Sequence, residues 1–522
     1  MNPPSDTCSG IHKLPPELLL RIFQAGEASE RAAHPKDQSY LGLQDIATQV
    51  CGRWRNLAIG CPTLWTYIHV TRPSARALAR LYLARAGPGT LLDLDIKIQR
   101  GWCEGQDIGY DDWDSQRVVV QEFLEFLSSH GATVNRWKTL DLCSPEPGVL
   151  LGFIGTLSTE TAPALRFLSC RLCHHGRSDK GRYLSRQPQH PKNAYQLSPF
   201  IVPKFKFDRL SWCCVFDRSS PVFSGLTELR FTSWPSRCSP SQLQALLLLN
   251  PQLELLSLGT SDLYKWEILR EIEFFIDVES VRMVQLHTLS VETIKDLFWV
   301  IGVLKLIDAP VLKKLSIAAF VCTEKQEAEV QYLCRLPCGP RAMDEEGDST
   351  LGKPRYPYLN ELDIHNFFHR EHVIDMLTSW PSITKLHASR AQAALLEDSS
   401  LLPQLSYLKI HFKAPPQLCR ILSWRKAAGL PIQEVDLPFK WRDEVVDELP
   451  SGITVREHDP IDFEVESNDS MTEAEFSVED ESGRESSTED ESGSDSWVTG
   501  ESDSDSGESE LEGDEWVWSV YE

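Results

Sequence analysis

Three kinds of hydrophobic pattern follow one another along the chain. Between Leu14 and Ala58, apolar residues recur three and four positions apart, which is the spacing of one helix face. From Leu91 to Leu437, short strand-like segments alternate with helix-like stretches. Beyond residue 458, Ser, Asp, Glu and Gly dominate and apolar residues are sparse. The pattern predicts a helical domain at residues 11–70, an α/β solenoid at 71–457, and disordered ends at 1–10 and 458–522.

The helical domain begins with the stretch LPPELLLRIF, Leu14 to Phe23. Its two prolines can occupy the first turn of a helix, where a missing N–H group costs nothing, and Glu17 suits the positive end of the helix dipole. After a polar loop, the stretch from Leu43 to Ala58 predicts a second helix, which Gly52 would weaken by ~1 kcal/mol relative to Ala. A unit of about 50 residues is marginally stable alone. We therefore expect it to pack against the rest of the chain or a partner.

A six-residue pattern, apolar-x-x-apolar-x-apolar, recurs twelve times in the α/β region. Most copies are separated by roughly the 20–29 residues of a leucine-rich repeat. The Asn or Cys that usually follows such a strand is missing after most copies, so the array is irregular. Alternating strands and helices predict a parallel sheet with helices on one face. The copies begin at Leu91, Trp137, Leu165, Phe207, Leu226, Leu253, Leu286, Leu312, Leu359, Ile383, Leu405 and Ile432.

Helix-like stretches and two long insertions lie between these copies. The insertions are a basic segment at 176–196 and a mixed segment at 322–357. The clearest helical stretches are residues 118–129, 239–250, 291–307, 370–380 and 415–429.

Charge is distributed very unevenly along the 522 residues. The formal net charge is −24, and the segment from Asp459 onward holds 24 acidic residues and one basic residue, Arg484. The rest of the chain is almost neutral, so it has no overall attraction for nucleic acid or an anionic membrane. The longest apolar run, Leu297 to Leu304, is far shorter than the ~20 residues that a bilayer requires. We expect no membrane partner and no nucleic-acid partner.

The cysteine content and the N-terminus bear on the compartment. Fourteen cysteines lie at irregular spacing, which is typical of reduced thiols rather than a disulfide framework. The first ten residues lack the basic start and apolar run of a secretory signal. Together these features predict a cytoplasmic or nuclear protein.

The stretches LPPELLLRIF and VCGRWRNLAIGCPTLW together closely resemble the F-box, in the F-box-like variety of large fungal families. The Pro-Glu helix start, the Cys-x-x-Trp-x-x-Leu helix and the closing Leu-Trp occur in the family's order, between Leu14 and Trp65. One departure is Gly52, where the family often has Arg. The resemblance implies that this domain docks on the Skp-type adaptor of a cullin–RING ubiquitin ligase. The leucine-rich-repeat-like array would then capture a protein substrate, as it does in one large branch of the family.

The resemblance also implies which residues would bind the adaptor. Some would pack inside the domain and others would face the adaptor, and the sequence does not separate the two groups. The implied residues are Leu14, Pro15, Leu18, Leu19, Ile22, Phe23, Val50, Cys51, Trp54 and Leu57.

Few motifs in the chain suggest chemistry. CRLCHH, Cys170 to His175, contains the haem-attachment spacing and half of a zinc site. However, Cys170 fills a strand position of a repeat and Cys173 the slot that follows it, so structural roles are favoured. The pair His369 and His372 lacks an acidic helper, and no phosphate-binding loop, zinc-protease helix or nucleophile elbow is present. We therefore expect no catalytic residues, no cofactor and no metal.

The acidic tail leaves two functional readings open. At least six of its Ser and Thr residues precede an acid by three positions, as acidophilic kinases prefer, and phosphorylation would add about −1.5 to −2 charges per site. The tail could simply confer solubility, or it could bind basic partners such as histones. A non-degradative scaffold using the tail in this way is the alternative to a ligase subunit. A metal- or redox-active protein using CRLCHH is a more distant one. The sites are Ser477, Ser487, Thr488, Ser492, Ser502 and Ser509.

Overall fold

The structure is a computed structural model of the chain. It describes residues 10–33, 42–71, 75–98, 113–144, 146–159, 162–172, 200–202, 204–210, 216–217, 220–221, 223–233, 240–260, 279–293, 297–319, 342–343, 349–350, 356–365, 370–398, 400–411, 418–438 and 449–458. The acidic tail, the basic insertion at 176–196, most of the insertion at 322–357, and the side chains of Cys173, His174, His175, His369 and His372 lie outside this part.

The N-terminal domain consists of three helices, α1 (Pro16–Ala33), α2 (Leu43–Val50) and α3 (Gly52–Ile59). The helix start predicted at the two prolines is confirmed, because Pro16 is the first residue of α1. The predicted loop after Gly26 is shorter than expected, since α1 continues to Ala33. One turn of 3-10 helix precedes α1 at Gly10–Lys13, and another follows α3 at Pro62–Trp65.

The prediction of one continuous second helix over Leu43–Ala58 is wrong, because the helix is interrupted at Cys51. This residue has extended backbone angles (φ −158°, ψ 167°), and its Sγ accepts a hydrogen bond from the backbone N–H of Trp54 at 3.5 Å. Cys51 thereby ends α2 and caps α3. Gly52 is the first residue of α3, so the interior-helix penalty expected for it does not apply.

Fourteen parallel strands follow in one sheet, and their spatial order is their order along the chain. The predicted parallel sheet is therefore confirmed. The strands are β1 (Tyr67–Val70), β2 (Leu92–Lys97), β3 (Trp137–Ser144), β4 (Phe167–Leu172), β5 (Lys204–Leu210), β6 (Glu228–Ser233), β7 (Leu255–Thr260), β8 (Thr288–Thr293), β9 (Lys314–Ala319), β10 (Glu361–Asp363), β11 (Lys385–Ala388), β12 (Tyr407–Ile410), β13 (Glu434–Pro438) and β14 (Thr454–His458).

Eleven of the twelve predicted repeat copies lie in the expected register, with their fourth and sixth residues buried. The copy predicted at Phe207 is misplaced by five residues. The same pattern fits Val202–Phe207, where Val202 and Phe205 are buried and Phe205 lies between Leu168 and Leu229 of the neighbouring strands. Burial of these side chains selects the register, because a shift by an odd number of residues exchanges the two faces of a strand.

Within the described residues, helices lie in eight of the thirteen connections between successive strands, where parallel pairing requires a crossover. Four of the five predicted helical stretches are found within a few residues of their predicted ends. The helix predicted over 291–307 begins only at Leu297, because the chain up to Thr293 continues a strand. The helices are α4 (Arg76–Ala86), α5 (Trp113–Ser129), α6 (Pro147–Thr159), α7 (Pro240–Leu249), α8 (Leu297–Leu306), α9 (Arg370–Ser379), α10 (Arg390–Ala394) and α11 (Leu418–Ala427).

Several short elements complete the described structure. Two more 3-10 turns lie at Val134–Arg136 and Leu395–Glu397. The remaining two-residue strands form four small ladders: Phe200–Ile201 with Phe223–Ser224, Phe216–Asp217 with Ser220–Pro221, Val281–Arg282 with Ile307–Asp308, and Ala342–Met343 with Ser349–Thr350.

The two faces of the sheet differ in chemistry. Apolar strand residues and apolar helix residues form one continuous buried cluster, so the helices cover the apolar face. The alternate strand positions carry charged and polar side chains; we call this the polar face. Among the helices described, none is long and apolar enough to cross a membrane.

Candidate functional site

Helix α1 carries apolar side chains on two sides. Leu19 and Phe23 are fully buried, and the ring of Phe23 packs edge-to-face against Trp54 at 5.0 Å between centroids. Leu18 and Ile22, one turn apart, are 44% and 46% exposed. The helix is thus more apolar than its own core requires, and Leu18 and Ile22 form its outward apolar pair.

Helix α2 repeats this division. Ala47 is buried, whereas Ile46 and Val50, again one turn apart, are 41% and 50% exposed. Helices α1 and α2 pack against each other. We call Leu18, Ile22, Ile46 and Val50 the apolar surface of the N-terminal domain. Isolated exposed apolar residues are common in proteins, but two outward pairs on adjacent helices are typical of a protein-binding surface.

The remaining implied adaptor-binding residues divide by burial. Pro15 is exposed beside Leu18, while Leu14, Cys51, Trp54 and Leu57 are half-buried. Three of these half-buried side chains, Leu14, Trp54 and Leu57, pack against the core. They and the buried pair Leu19 and Phe23 hold the helices together, whereas the exposed side chains are available to a partner. Ile46, absent from the implied set, is an additional exposed residue; its i, i+4 spacing with Val50 is the sequence signal for it.

Trp65 joins the N-terminal domain to the solenoid. Its ring is fully buried, and its Nε1–H donates to the carbonyl of Ala58 in α3 at 2.8 Å. Two side chains of α4 pack on the same ring: Tyr82 edge-to-face at 5.1 Å and the guanidinium of Arg85 at 4.3 Å. Tyr82 also donates to a carboxylate oxygen of Asp45 in α2. Burial and the Asp45 carboxylate both raise the pKa of Tyr82, so its hydroxyl stays protonated and continues to donate.

A second link joins the end of α1 to the edge of the sheet. Arg31 donates to Asp93 of β2 at 2.8 Å and also binds Glu27, and its guanidinium lies 4.5 Å from the ring centroid of Tyr67 in β1. Because Trp65 and Arg31 contact the solenoid at different points, the apolar surface is held in a fixed orientation to the first strands.

A hydrogen-bonded group on β1 and β2 lies beside this link. Asp95 accepts from the Tyr67 hydroxyl at 2.8 Å and contacts Nδ1 of His69 at 2.9 Å. Burial raises the pKa of Asp95, but the bonds with His69 and Tyr67 outweigh it and hold that pKa below its usual range. The carboxylate is therefore ionised and stabilises the first strand pair.

Ion pairs between strands cover the polar face. Arg171 binds Asp141 at 2.9 Å between β3 and β4, and Lys204 binds Glu228 at 3.1 Å between β5 and β6. Further along, Lys314 on β9 binds Glu361 on β10 at 2.5 Å. Exposed pairs of this kind contribute about 0–1 kcal/mol each. Together they give the polar face a mixed pattern of positive and negative charges.

Comparison with known proteins supports this division of the chain. Residues 11–71 match the F-box-like family model. No curated protein matches the chain. A protein of Bacteroides fragilis with a solved crystal structure matches over 52% of this chain and 69% of its own, at 14% identity; its TM-score of 0.27 is too low to support an argument.

The chain therefore carries an F-box-like domain at its N-terminus, followed by a long parallel sheet consistent with a leucine-rich-repeat-like domain. An F-box-like domain implies binding to a Skp-type adaptor, and proteins with this domain are typically non-catalytic adaptors.

Proposed function

We propose that this chain is the substrate-recognition subunit of an SCF-type cullin–RING ubiquitin ligase. Its F-box-like domain binds the Skp-type adaptor, and its solenoid binds a protein substrate. In this role the protein has no catalytic residues and no cofactor of its own, and it acts in the cytoplasm or nucleus. It accelerates ubiquitin transfer by raising the effective concentration of substrate near the conjugating enzyme.

One observation carries the proposal. The residues that match the F-box-like family fold into helices, two of which carry outward apolar pairs that lie outside the domain's own buried core. The F-box-like match supports a Skp-type adaptor as the partner of these apolar pairs. The adaptor-binding residues are then Pro15, Leu18, Ile22, Ile46 and Val50, while Leu19 and Phe23 support them from within.

The rigid links at Trp65 and Arg31 support the second half of the proposal. A ligase subunit must hold its substrate at a defined position relative to the adaptor, because transfer requires the reacting groups to meet. Contacts of α1 and α3 with β1, β2 and α4 fix that relationship. The polar face, with its mixed charges, is the proposed substrate surface, and a cavity of about 340 Å³ lies on it between Glu361, His387, Tyr407 and Arg456.

The test is co-elution of the full chain with a purified Skp-type adaptor in size-exclusion chromatography. The double variant Leu18→Asp with Ile22→Asp places two charges in the proposed interface without touching the core. The wild type should co-elute with the adaptor and the double variant should not.

The matched control is Leu248→Asp with Leu249→Asp, two exposed leucines on α7 that are 62% and 49% exposed. This control should bind the adaptor like the wild type. Unimpaired co-elution of the Leu18 and Ile22 double variant would reject the proposed interface. If, in addition, the full chain bound purified histones and the chain lacking residues 458–522 did not, a non-degradative scaffold would replace the ligase subunit as the proposed function.

A further inference from the structure

Three side chains that can bind a metal meet on the polar face near the C-terminal end of the solenoid. They are Asp363 of β10, His365 just after that strand, and His411 just after β12; we call them the Asp-His-His cluster. One donor atom from each residue lies within 4.8 Å of the donor atoms of the other two. The two imidazole rings are 4.0 Å apart between centroids and nearly parallel, at 19°.

The fold explains why residues from two repeats meet here. Ile364 donates its backbone N–H to His387 at 3.0 Å, and His411 donates its own to Ala388 at 3.0 Å, so both strand ends are anchored to β11. The residue between the two histidines at this level is Ser389, which caps α10. Its small side chain leaves room for the rings to approach each other above β11.

The cluster is enclosed and its ligands are oriented by other groups. Its three residues are buried or nearly so. Nδ1 of His365 lies 2.5 Å from one oxygen of Asp363, and Nδ1 of His387 lies 3.5 Å from the other. Nε2 of His387 lies 3.4 Å from Glu361. The His365–Asp363 contact lies within the cluster, whereas His387 and Glu361 lie around it, as the second row of groups in protein metal sites usually does.

Two lysines near the cluster pair with carboxylates outside it. Lys314 binds Glu361 at 2.5 Å, and Lys409 lies 3.8 Å from Asp436.

We propose that Asp363, His365 and His411 bind one divalent transition-metal ion of the Zn²⁺ type, which cross-links β10 to β12. Two imidazole nitrogens and one carboxylate oxygen are a donor set that suits zinc, with ligand distances of about 2.0–2.2 Å. Donor atoms around a tetrahedral zinc are about 3.4 Å apart on that basis. The cluster must therefore contract, and one ring must turn out of the stack so that both lone pairs point at the ion.

The experiment measures zinc bound per full-length chain after metal removal with a chelator, reloading with ZnCl₂ and gel filtration. The chain has many other cysteines and histidines, so the readout is the difference between variants that share them. The wild type should bind one equivalent more than His411→Gln. The matched control is His130→Gln, a half-buried histidine at the end of α5 that contacts the carbonyl of Phe126. It should bind as much as the wild type.

Thermal unfolding provides a second readout. Zinc should raise the midpoint of the wild type and of His130→Gln by several degrees more than that of His411→Gln. Asp363→Asn, which keeps the size of the side chain, should behave like His411→Gln and serves in its place if that variant lacks the wild-type circular dichroism spectrum. Equal zinc stoichiometry in the wild type and the folded cluster variant, or an equal rise in midpoint, would overturn the proposal.

Discussion

Separate alanine substitutions at Ile22 and Phe23 test whether α1 has one face for its own core and another for a partner. Ile22 is 46% exposed, whereas Phe23 is 1% exposed and packs on Trp54. Full burial of a large apolar side chain contributes about 1.5–3 kcal/mol, so covering the exposed fraction of Ile22 contributes about 0.7–1.4 kcal/mol. Ile22→Ala should therefore weaken adaptor binding about three- to tenfold. Its effect on stability should be smaller than that of Phe23→Ala, since nearly half of the Ile22 side chain already faces solvent in the free protein.

Phe23→Ala should have the opposite profile. It leaves a cavity in the core of the domain and should lower the free energy of unfolding by about 3–5 kcal/mol. Titration calorimetry with the purified adaptor measures binding, and urea denaturation of the same preparations measures stability. The division of α1 would be refuted if Ile22→Ala bound like the wild type, or if it destabilised the chain as much as Phe23→Ala did.

Three further predictions concern stability. Arg425 is fully buried and donates to the carbonyls of Leu401 and Leu402 at 2.9 and 2.7 Å, so Arg425→Met should cost about 2–4 kcal/mol in urea denaturation; a wild-type midpoint would contradict this. Trp65→Phe removes the donor to the Ala58 carbonyl and should cost about 1–3 kcal/mol by the same measurement, with an unchanged midpoint as the contrary result. The pKa of Asp95 in the folded protein lies below its ordinary value. The contribution of ionised Asp95 to the free energy of unfolding is therefore complete above the unfolded pKa of about 3.9, and it is lost as the pH falls through the folded pKa. Asp95→Asn should therefore reduce the dependence of stability on pH on the acid side, and parallel pH profiles of the variant and the wild type would count against it.

The repeat pattern was enough to predict most of the sheet, because each strand buries the same two positions of the six-residue motif. It failed at Phe207, where two overlapping segments fit the motif and only packing against Leu168 and Leu229 distinguishes them. The strand Thr454–His458 was missed because Val455 is its only large apolar residue and Arg456 and Glu457 follow it directly; it lies at the edge of the sheet. The interruption of the helix at Cys51 was missed because apolar residues keep the helical spacing on both sides of it, although the backbone of Cys51 itself is extended.

The candidate sites were less accessible to sequence reasoning than the fold. Apolar residues at helical spacing look alike whether they face a core or a partner, so Ile22 and Phe23 could be told apart only from the packed structure. The Asp-His-His cluster joins residues of two repeats that are separated by a third one. No spacing rule along the chain brings His365 and His411 together; the strand register of the solenoid does.

Because the strands follow one another in the sheet in chain order, the number of repeats sets the distance along the sheet between its two ends. Adjacent strands lie about 4.8 Å apart, so each added repeat moves everything beyond it by one such step along the sheet. The tenth strand, where the Asp-His-His cluster begins, is then about 43 Å along the sheet from the first. Duplicating one repeat between them would move a substrate bound near the last strands about 4.8 Å farther along the sheet from the N-terminal domain, without changing the residues at either end. The number of repeats thus determines how far the last strands lie from the N-terminal domain along the sheet.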